Sequence, residues 1–135
     1  MIKTSNCDNC NIEFEYNPTQ KRGKYCSNVC QQVYQSKIIV QKWLNEEIEA
    51  NIAGRLRNCI RDYILNRDSH ACVECGWDKV NKYSGNSALE IDHIDGNHKN
   101  NKPENLRSIC PNCHSLTSNF KNLNNGNGRE SRRNK

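Results

Sequence analysis

The clearest hydrophobic pattern in this sequence lies near the middle of the chain. Between residues 54 and 67, apolar side chains recur at intervals of three and four residues, at Leu56, Cys59, Ile60, Tyr63 and Ile64. This spacing places all five on one face and predicts an amphipathic helix over residues 54–67. The whole segment 28–67 is expected to be mostly helical, with Ser27 as the N-cap of a helix that begins near Asn28.

Alternation of apolar and polar residues predicts strands on both sides of this helical segment. Residues 12–16 alternate, and residues 89–94 alternate in the same way. Residues 106–109 are expected to form a further strand. Pro111 suits the first turn of a helix, which we expect to run to about Leu123.

The composition limits how much core these elements can bury. The chain has 135 residues, of which 34% are hydrophobic, and its mean hydropathy is −1.00. Metals or cross-links must therefore supply part of the stability. No apolar run approaches the roughly 20 residues that cross a bilayer, and no apolar stretch follows Met1 as in a signal peptide. We expect a cytoplasmic protein, and the net charge of +5 mildly favours a polyanionic partner.

Eight of the nine cysteines fall into four close pairs. A gap of two or three residues lets a tight turn present two sulfur atoms to one ion, and zinc prefers four such ligands in a tetrahedron. In a cytoplasmic protein the pairs predict two structural Zn²⁺ ions. The first would use Cys7, Cys10, Cys26 and Cys30, and the second Cys72, Cys75, Cys110 and Cys113. Disulfides in a secreted protein and iron–sulfur or redox use are the alternatives. Cys59, on the apolar stripe, is expected to be a buried and inert thiol.

The second group of cysteines brackets residues whose chemistry suits phosphodiester hydrolysis. Asp92 and His93 are adjacent in a predicted strand, Asn105 lies in the following loop, and His114 follows Cys113 directly. A neutral imidazole can accept a proton from an attacking water, and an amide can help to orient it. A carboxylate and an imidazole can hold a divalent ion against the developing charge. Neighbours in a strand point to opposite faces, but the pattern does not fix which residue has which task.

These residues lie in three segments that closely resemble the HNH nuclease family, namely 89–97, 103–107 and 110–115. The resemblance covers roughly residues 72–119 and implies two strands, a loop and a helix around one divalent ion. It implies that His93 is the general base, that Asn105 orients this base, and that His114 binds the ion together with Asp92. It also implies DNA as substrate, and products with 5′-phosphate and 3′-hydroxyl ends. A four-cysteine zinc site interleaved with the motif is typical of the zinc-bearing branch of the family.

One position departs from some members of this family. The colicin nucleases use a further histidine one helical turn after the last histidine of the motif, and this chain has Ser118 there. The ion site should therefore be richer in oxygen ligands and favour Mg²⁺ or Mn²⁺.

Two other interpretations of the motif compete with an active nuclease. One is a zinc-stabilised binding module, in which these His and Asn residues have no catalytic task, and the other is an inactive copy of a nuclease.

Basic residues near both ends and in the middle of the chain suggest contacts with DNA. The first cysteines resemble a short treble-clef zinc finger, with Lys21, Arg22 and Lys24 on a loop that would contact phosphate or simply face solvent. Arg57 and Arg61 lie off the apolar stripe and are also expected to add DNA affinity. The tail resembles the ends of small phage HNH proteins, and its charge would add salt-sensitive affinity. Its basic residues are Arg129, Arg132, Arg133 and Lys135.

Together these patterns predict an α+β protein, with a small zinc-stabilised ββα-metal (HNH) nuclease domain preceded by a treble-clef-like zinc finger and a helical linker. The expected divisions are the finger at 1–35, the linker at 36–67, the nuclease domain at 68–123 and a basic disordered tail at 124–135. We predict a metal-dependent DNA endonuclease, phage-encoded or acting in a bacterial host, that works as a monomer or homodimer. The alternative is a noncatalytic zinc-finger protein that binds DNA.

Overall fold

The structure, a computed structural model, describes residues 1–124 and residue 126. The chain divides into two compact units, Met1–Ile48 and Glu49–Lys135. This division falls inside the segment 36–67 that the sequence assigns to a linker. Most of the basic tail expected at 124–135 lies outside the described residues. In the described part of the chain, no helix combines the length and the apolar character needed to span a membrane.

The first unit begins with a two-stranded antiparallel hairpin. Strand β1 (Lys3–Asn6) pairs with β2 (Glu13–Tyr16), so the strand predicted in this region is confirmed. Between the strands the chain makes a tight turn, in which Asn11 N donates to Cys7 O at 2.8 Å. This turn carries the first cysteine pair, Cys7 and Cys10.

Helix α1 (Asn28–Leu44) completes the first unit. Ser27 has an extended backbone and its hydroxyl accepts a hydrogen bond from Cys30 N at 3.1 Å, which caps the helix as predicted. The cap fixes the first turn of α1, and therefore the position of the second cysteine pair, Cys26 and Cys30.

The second unit opens with a small hairpin where the sequence predicted helix. Strands β3 (Asn51–Ile52) and β4 (Arg55–Leu56) pair antiparallel, and helix α2 spans only Asn58–Arg67. The prediction of a helix from residue 54 is therefore wrong for its first turn. Ala53 and Gly54 have φ values of 50° and 75°, and this left-handed conformation makes a tight turn and cannot begin a right-handed helix.

A further antiparallel hairpin carries the predicted catalytic segment. Strand β5 (Glu90–His93) pairs with β6 (Leu106–Ile109), which confirms both strands predicted from the sequence. Asp92 lies opposite Arg107 in the register. Because side chains alternate along a strand, Asp92 and His93 point to opposite faces of the hairpin.

Helix α3 (Pro111–Ser115) follows β6 directly and is shorter than the predicted helix, which was expected to reach Leu123. After it, Thr117 Oγ1 donates to His114 O at 2.9 Å, and Asn119 Nδ2 donates to a carbonyl of the β5–β6 loop at 3.0 Å. Polar side chains that bond to the main chain in this way compete with helical hydrogen bonds. The helix therefore stops after little more than one turn.

The core of the second unit is small and includes two cysteines. Trp77, Ile91 and Cys113 pack against a cluster of buried side chains, which are Leu65, Cys72, Leu89, Ile109 and Cys110. The apolar stripe of α2 adds Ile60 and Ile64, both fully buried. Cysteines that are candidate metal ligands are thus part of the packed interior, as the low apolar content requires.

Two charged residues at the end of α2 hold β6 in place. Arg67 donates to Leu106 O at 2.6 Å, and Asp68 accepts from Ser108 N at 2.8 Å. Although burial raises it, hydrogen bonds from Arg67 and Ser108 bring the pKa of Asp68 below its ordinary value. The charged form of Asp68 is therefore favoured, and it pairs with a main-chain group of β6.

The loop between β5 and β6, residues 94–105, is folded by its own polar side chains. Asp95 accepts hydrogen bonds from Asn97 N at 2.8 Å, Asn100 Nδ2 at 2.7 Å and Asn105 Nδ2 at 2.9 Å. Asn105 is buried; it also accepts from Asp95 N at 3.0 Å and donates to Asn100 O at 2.8 Å. The Asn-rich sequence therefore forms a compact loop, since short amide side chains bond readily to nearby main-chain groups.

Gly96 is the point at which the segment after α3 packs against this loop. A Cβ at this position would lie 2.6 Å from Asn124 Oδ1 and 2.7 Å from Asn119 Cγ. The close approach allows Asn124 Nδ2 to donate to Gly96 O at 2.8 Å and Asn119 Nδ2 to donate to Ile94 O at 3.0 Å. A side chain at residue 96 would displace both asparagines.

We predict that Gly96→Ala destabilises the protein more than Gly85→Ala. Both glycines have a φ of 72°, so each alanine carries the cost of the left-handed conformation, about 1–2 kcal/mol. Only at Gly96 does the added carbon overlap other atoms, because nothing lies within 4 Å of the corresponding position at Gly85. Thermal unfolding should show the larger loss of Tm for Gly96→Ala. Equal losses would contradict the close packing at this loop.

Candidate functional site

The first four predicted zinc ligands meet in the first unit. The ligand atoms of Cys7, Cys10, Cys26 and Cys30 all lie within 4.8 Å of one another. The sulfur atoms of Cys10 and Cys26 are 3.7 Å apart, and those of Cys26 and Cys30 are 3.5 Å apart. A zinc ion with four sulfur ligands at 2.3 Å separates them by about 3.8 Å. The cluster therefore fits zinc.

The other four predicted ligands meet in the second unit. The ligand atoms of Cys72, Cys75, Cys110 and Cys113 also lie within 4.8 Å of one another. The sulfur atoms of Cys75 and Cys110 are 3.8 Å apart. Cys110 is the N-cap of α3, and its sulfur accepts a hydrogen bond from Cys113 N at 3.3 Å. This cluster therefore fixes the start of the helix that carries His114.

Hydrogen bonding prepares both clusters for a cation. Although burial opposes the thiolate, main-chain hydrogen bonds lower the pKa of Cys72, and that of Cys7, to about 6. Hydrogen bonds to Cys110 and Cys75 raise the pKa of Cys113 to about 12, and those to Cys30 and other neighbours raise the pKa of Cys26 to about 12. Each cluster thus favours the thiolate at some of its cysteines and disfavours it at others. A bound zinc ion supplies the positive charge that allows complete ionisation.

Asp92 and His114, the predicted ligands of the catalytic ion, face each other across β5 and α3. Asp92 is buried, and its Oδ1 lies 3.6 Å from His114 Nε2. Two ligands at right angles around Mg²⁺, each about 2.1 Å from the ion, are about 3 Å apart. A small approach of the two side chains would therefore let both contact one divalent ion.

Glu90 holds the other side of the His114 ring through a short hydrogen bond to Nδ1. Because a carboxylate accepts, Nδ1 carries the proton and the lone pair lies on Nε2, the atom that faces Asp92. A carboxylate partner of this kind is common behind histidines that bind metals, where it fixes the tautomer and the ring orientation. The sequence did not single out Glu90, although it lies two residues before Asp92 and so shares its face of the strand.

Arg107 holds the second oxygen of Asp92. Its Nε donates to Asp92 Oδ2 at 2.9 Å, and its Nη1 donates to Glu74 Oε1 at 2.6 Å. Glu74 lies in the turn between Cys72 and Cys75, so the arginine connects this cysteine-bearing turn to Asp92. This arrangement leaves Asp92 Oδ1 directed at His114. Neither Arg107 nor Glu74 was predicted as a site residue.

His93 is half-buried and is held by the loop 94–105. Its Nε2 lies 2.8 Å from Asn101 Oδ1, and its main-chain oxygen accepts from Gly96 N at 2.9 Å. Asn105, the predicted orienting residue, bonds to the residues that follow His93. Its main-chain oxygen accepts from Ile94 N at 2.9 Å, and its side chain bonds to Asp95.

Two arginines expected to contact DNA have partners within the second unit. Arg57 Nε donates to Glu49 O at 3.2 Å, and Arg61 Nη2 donates to Leu89 O at 2.8 Å. Arg61 therefore joins α2 to the residue before β5. A loss of DNA affinity on replacing these arginines would not by itself demonstrate a DNA contact.

Comparison with known proteins agrees with the motif and its setting. A family profile described as HNH endonuclease matches residues 72–120. H-N-H endonuclease F-TflIV of Escherichia phage T5 is 42% identical over 60 residues, which cover 43% of this chain and 26% of that protein. The "Probable HNH endonuclease" of Lactococcus phage SK1 is 34% identical over 65 residues, which cover 46% of this chain and 69% of that protein. No solved structure gives a significant match.

The matched region contains the second cysteine cluster, the β5–β6 hairpin and α3. The chain belongs to the HNH endonuclease family. The resemblance inferred from the motif is therefore confirmed, and the two cysteine clusters fit the zinc-binding branch. The chain spans about a quarter of the length of the phage T5 relative.

We predict that the purified protein carries two zinc ions per chain, one in each cysteine cluster, and that strong chelators unfold it. The reason is that Cys72 and Cys110 belong to the core of the second unit, so loss of the ion leaves a core of few apolar residues. Elemental analysis combined with circular dichroism measures both properties. Cys110→Ser should lose one zinc ion and unfold the second unit, whereas Cys59→Ser should keep both ions, because Cys59 lies outside the clusters. A folded protein with one zinc ion or none would contradict this assignment.

Proposed function

We propose that the protein is a metal-dependent DNA endonuclease that hydrolyses phosphodiester bonds, by nicking one strand or cutting both. The observation that carries this proposal is the meeting of Asp92 and His114 at 3.6 Å, on a hairpin whose next residue is His93. Family membership supports it, since both matched phage proteins are named as endonucleases. A noncatalytic DNA-binding protein has no need for a buried carboxylate that faces an imidazole.

In this proposal His93 is the general base. The ring is held by the loop before any substrate arrives, so little reorganisation is needed for proton transfer. A neutral imidazole accepts a proton from the attacking water near neutral pH. Asn105 orients the base through the main chain, because its hydrogen bonds fix Ile94 and Asp95, the two residues after His93.

Asp92 and His114 are the proposed ligands of a catalytic Mg²⁺ or Mn²⁺ ion. Arg107 holds one oxygen of Asp92 and leaves the other for the ion, while Glu90 holds the ring of His114. When bound, the ion would stabilise negative charge on the scissile phosphate and on the leaving 3′ oxygen. Carboxylate oxygens are the ligands that both of these ions prefer.

The two cysteine clusters are proposed to hold structural Zn²⁺ ions. In the first unit, the turn with Cys7 and Cys10 and the capped start of α1 support a treble-clef-like finger. In the second unit, β5, β6 and α3 follow one another as in a ββα-metal nuclease. Zinc at Cys110 would set the position of α3, and therefore of His114, without taking part in hydrolysis.

A polar groove in the first unit suits contact with the DNA backbone. Its volume is about 390 Å³, and its lining includes Lys21, Arg22 and Lys24 together with the amide side chains of Gln31 and Gln35. Basic and amide side chains are the usual donors to phosphate oxygens. We propose that this unit adds affinity for DNA rather than chemistry.

A groove of about 530 Å³ in the second unit lies beside the partner of His93. It is lined by His98, Lys99 and Asn101 together with Glu49, Asn51 and Gly54, which places one positive charge, one negative charge and several polar side chains near the proposed base. This groove is the proposed path of the cleaved strand.

We also propose that the protein acts in the cytoplasm of a bacterial host. One site cuts one strand per engagement, so double-strand cutting would require a homodimer or two successive events.

We predict that His93→Ala loses DNA cleavage by about 10²–10⁴-fold, the usual effect of removing a general base. DNA binding and metal binding should persist, because the imidazole acts only on the attacking water. Single-turnover nicking of supercoiled plasmid measures the rate. His70→Ala is a matched control, since His70 is exposed and its ring bonds to Asn66 on α2.

Full activity of His93→Ala would contradict the assignment of the base. A wild-type protein that binds DNA but never nicks it, with either Mg²⁺ or Mn²⁺, would favour the noncatalytic alternative.

We predict that Asp92→Ala and His114→Ala also lose cleavage, but that raising the Mg²⁺ or Mn²⁺ concentration restores part of it. Each variant removes one proposed ligand and leaves the other, so the ion binds more weakly. Asp62→Ala, an exposed carboxylate on α2, should cleave at the wild-type rate. A titration of the metal for each variant separates these effects. If added metal instead restored cleavage by His93→Ala and not by these two variants, His93 would be a ligand of the ion rather than the base.

A further inference from the structure

The loop between β5 and β6 contains a side chain that bonds directly to the ring of the proposed base. Asn101 Oδ1 lies 2.8 Å from His93 Nε2, and both residues are half-buried. The two residues are eight positions apart, and the intervening loop turns back on itself to bring them together.

The orientation of the Asn101 amide follows from its second contact. Its Nδ2 donates to His98 O at 3.3 Å. Turning the amide over would place its oxygen against that carbonyl oxygen and its NH₂ group against the ring. The observed orientation therefore presents an acceptor to Nε2. Because an amide oxygen only accepts, Nε2 must carry the ring proton.

This contact determines which ring nitrogen is available for chemistry. In a neutral imidazole, one nitrogen carries the proton and the other has a free lone pair, and the hydrogen bond at one nitrogen decides which is which. With the proton held on Nε2, the lone pair of His93 is on Nδ1. We propose that Asn101 is a positioning residue that fixes the Nε2–H tautomer of His93 and so presents Nδ1 to the attacking water. The proposal rests on the role of His93 as the base.

Two other polar side chains of the loop, those of Asn105 and Asp95, bond to groups within the loop. The side chain of Asn105 bonds to Asp95 and to Asn100 O. The carboxylate of Asp95 accepts three hydrogen bonds from within the loop, and these hold its pKa below the ordinary value although burial raises it. Asn105 and Asp95 therefore fix the shape of the loop, and Asn101 transmits that shape to the ring.

Two substitutions at this position separate orientation of the ring from folding of the loop. Asn101→Leu and Asn101→Asp both keep the approximate shape of the side chain, and both lose the donor to His98 O. Only Asn101→Asp keeps an acceptor opposite His93 Nε2. A difference between the two variants therefore reports the hydrogen bond to the ring. Asn86→Leu, at an exposed asparagine in the turn before β5, is the control.

The first measurement is the tautomer of His93 in the zinc-loaded protein without DNA, from long-range ¹H–¹⁵N NMR of ¹⁵N-histidine-labelled protein. It is made at alkaline pH, where imidazole rings are neutral. The wild type, Asn101→Asp and Asn86→Leu should show Nε2–H. Asn101→Leu should lose this preference and show the Nδ1–H form or a mixture. An Nδ1–H wild type, or an unchanged tautomer in Asn101→Leu, would overturn the proposal.

The second measurement is single-turnover nicking at saturating DNA, together with DNA affinity. Asn101→Leu should cleave about 10- to 100-fold more slowly, the loss that is common when the partner orienting a functional histidine is removed. Its DNA affinity should be unchanged, and Asn101→Asp should recover most of the rate. Equal rates for the Leu and Asp variants, or a parallel loss of affinity, would contradict a positioning role. Failure of the proposed function is distinguishable, because an inactive wild type would still show the Nε2–H tautomer.

Discussion

The cluster of Cys72, Cys75, Cys110 and Cys113 is the constraint on which the C-terminal unit depends. Two of these cysteines belong to a core that otherwise contains few apolar side chains, so a metal held by the cluster, as proposed, would contribute directly to the stability of the unit. Cys110 follows β6 directly and caps α3, and the helix carries His114 as its fourth residue. The same ion that stabilises the fold would therefore fix one ligand of the catalytic ion.

The turn of this cluster also reaches the other proposed ligand. Glu74 lies between Cys72 and Cys75 and accepts a hydrogen bond from Arg107, which holds Asp92. The two proposed ligands are thus positioned from one cysteine cluster by two different connections, one through the helix and one through a charged side chain. His93 is positioned by different means, since the loop 94–105 holds it through amide and carboxylate hydrogen bonds rather than through metal ligation or apolar packing.

Local patterns in the sequence were sufficient for much of this arrangement. Alternation identified β5, the strand at 106–109 was also predicted, the cap at Ser27 located the start of α1, and cysteine spacing predicted both clusters. The start of α2 was missed because Leu56, in β4, continues the helical spacing by coincidence. The spacing of apolar residues carries no information about the left-handed turn at Ala53 and Gly54, which precedes β4.

Contacts between distant residues were beyond what a pattern can predict. The loop 94–105 contains several asparagines of similar character, so only the folded structure distinguishes Asn101, which bonds to the ring, from Asn105, which folds the loop. The partners of Arg61 and Arg107 lie 28 and 15 or more residues away. The charge of Arg61 suggested only a DNA contact, and Arg107 was not singled out. Glu90 is different, because its spacing of two from Asp92 already places both carboxylates on one face of β5.

The most direct test of this account is whether hydrolysis requires an ion other than zinc. Supercoiled plasmid is incubated with zinc-loaded protein from which other divalent ions have been removed, with and without added Mg²⁺ or Mn²⁺. The account predicts no nicking by the zinc-loaded protein alone, and nicking with 5′-phosphate and 3′-hydroxyl ends once Mg²⁺ or Mn²⁺ is added. Equal nicking without the added ion, or intact plasmid under every condition, would contradict it.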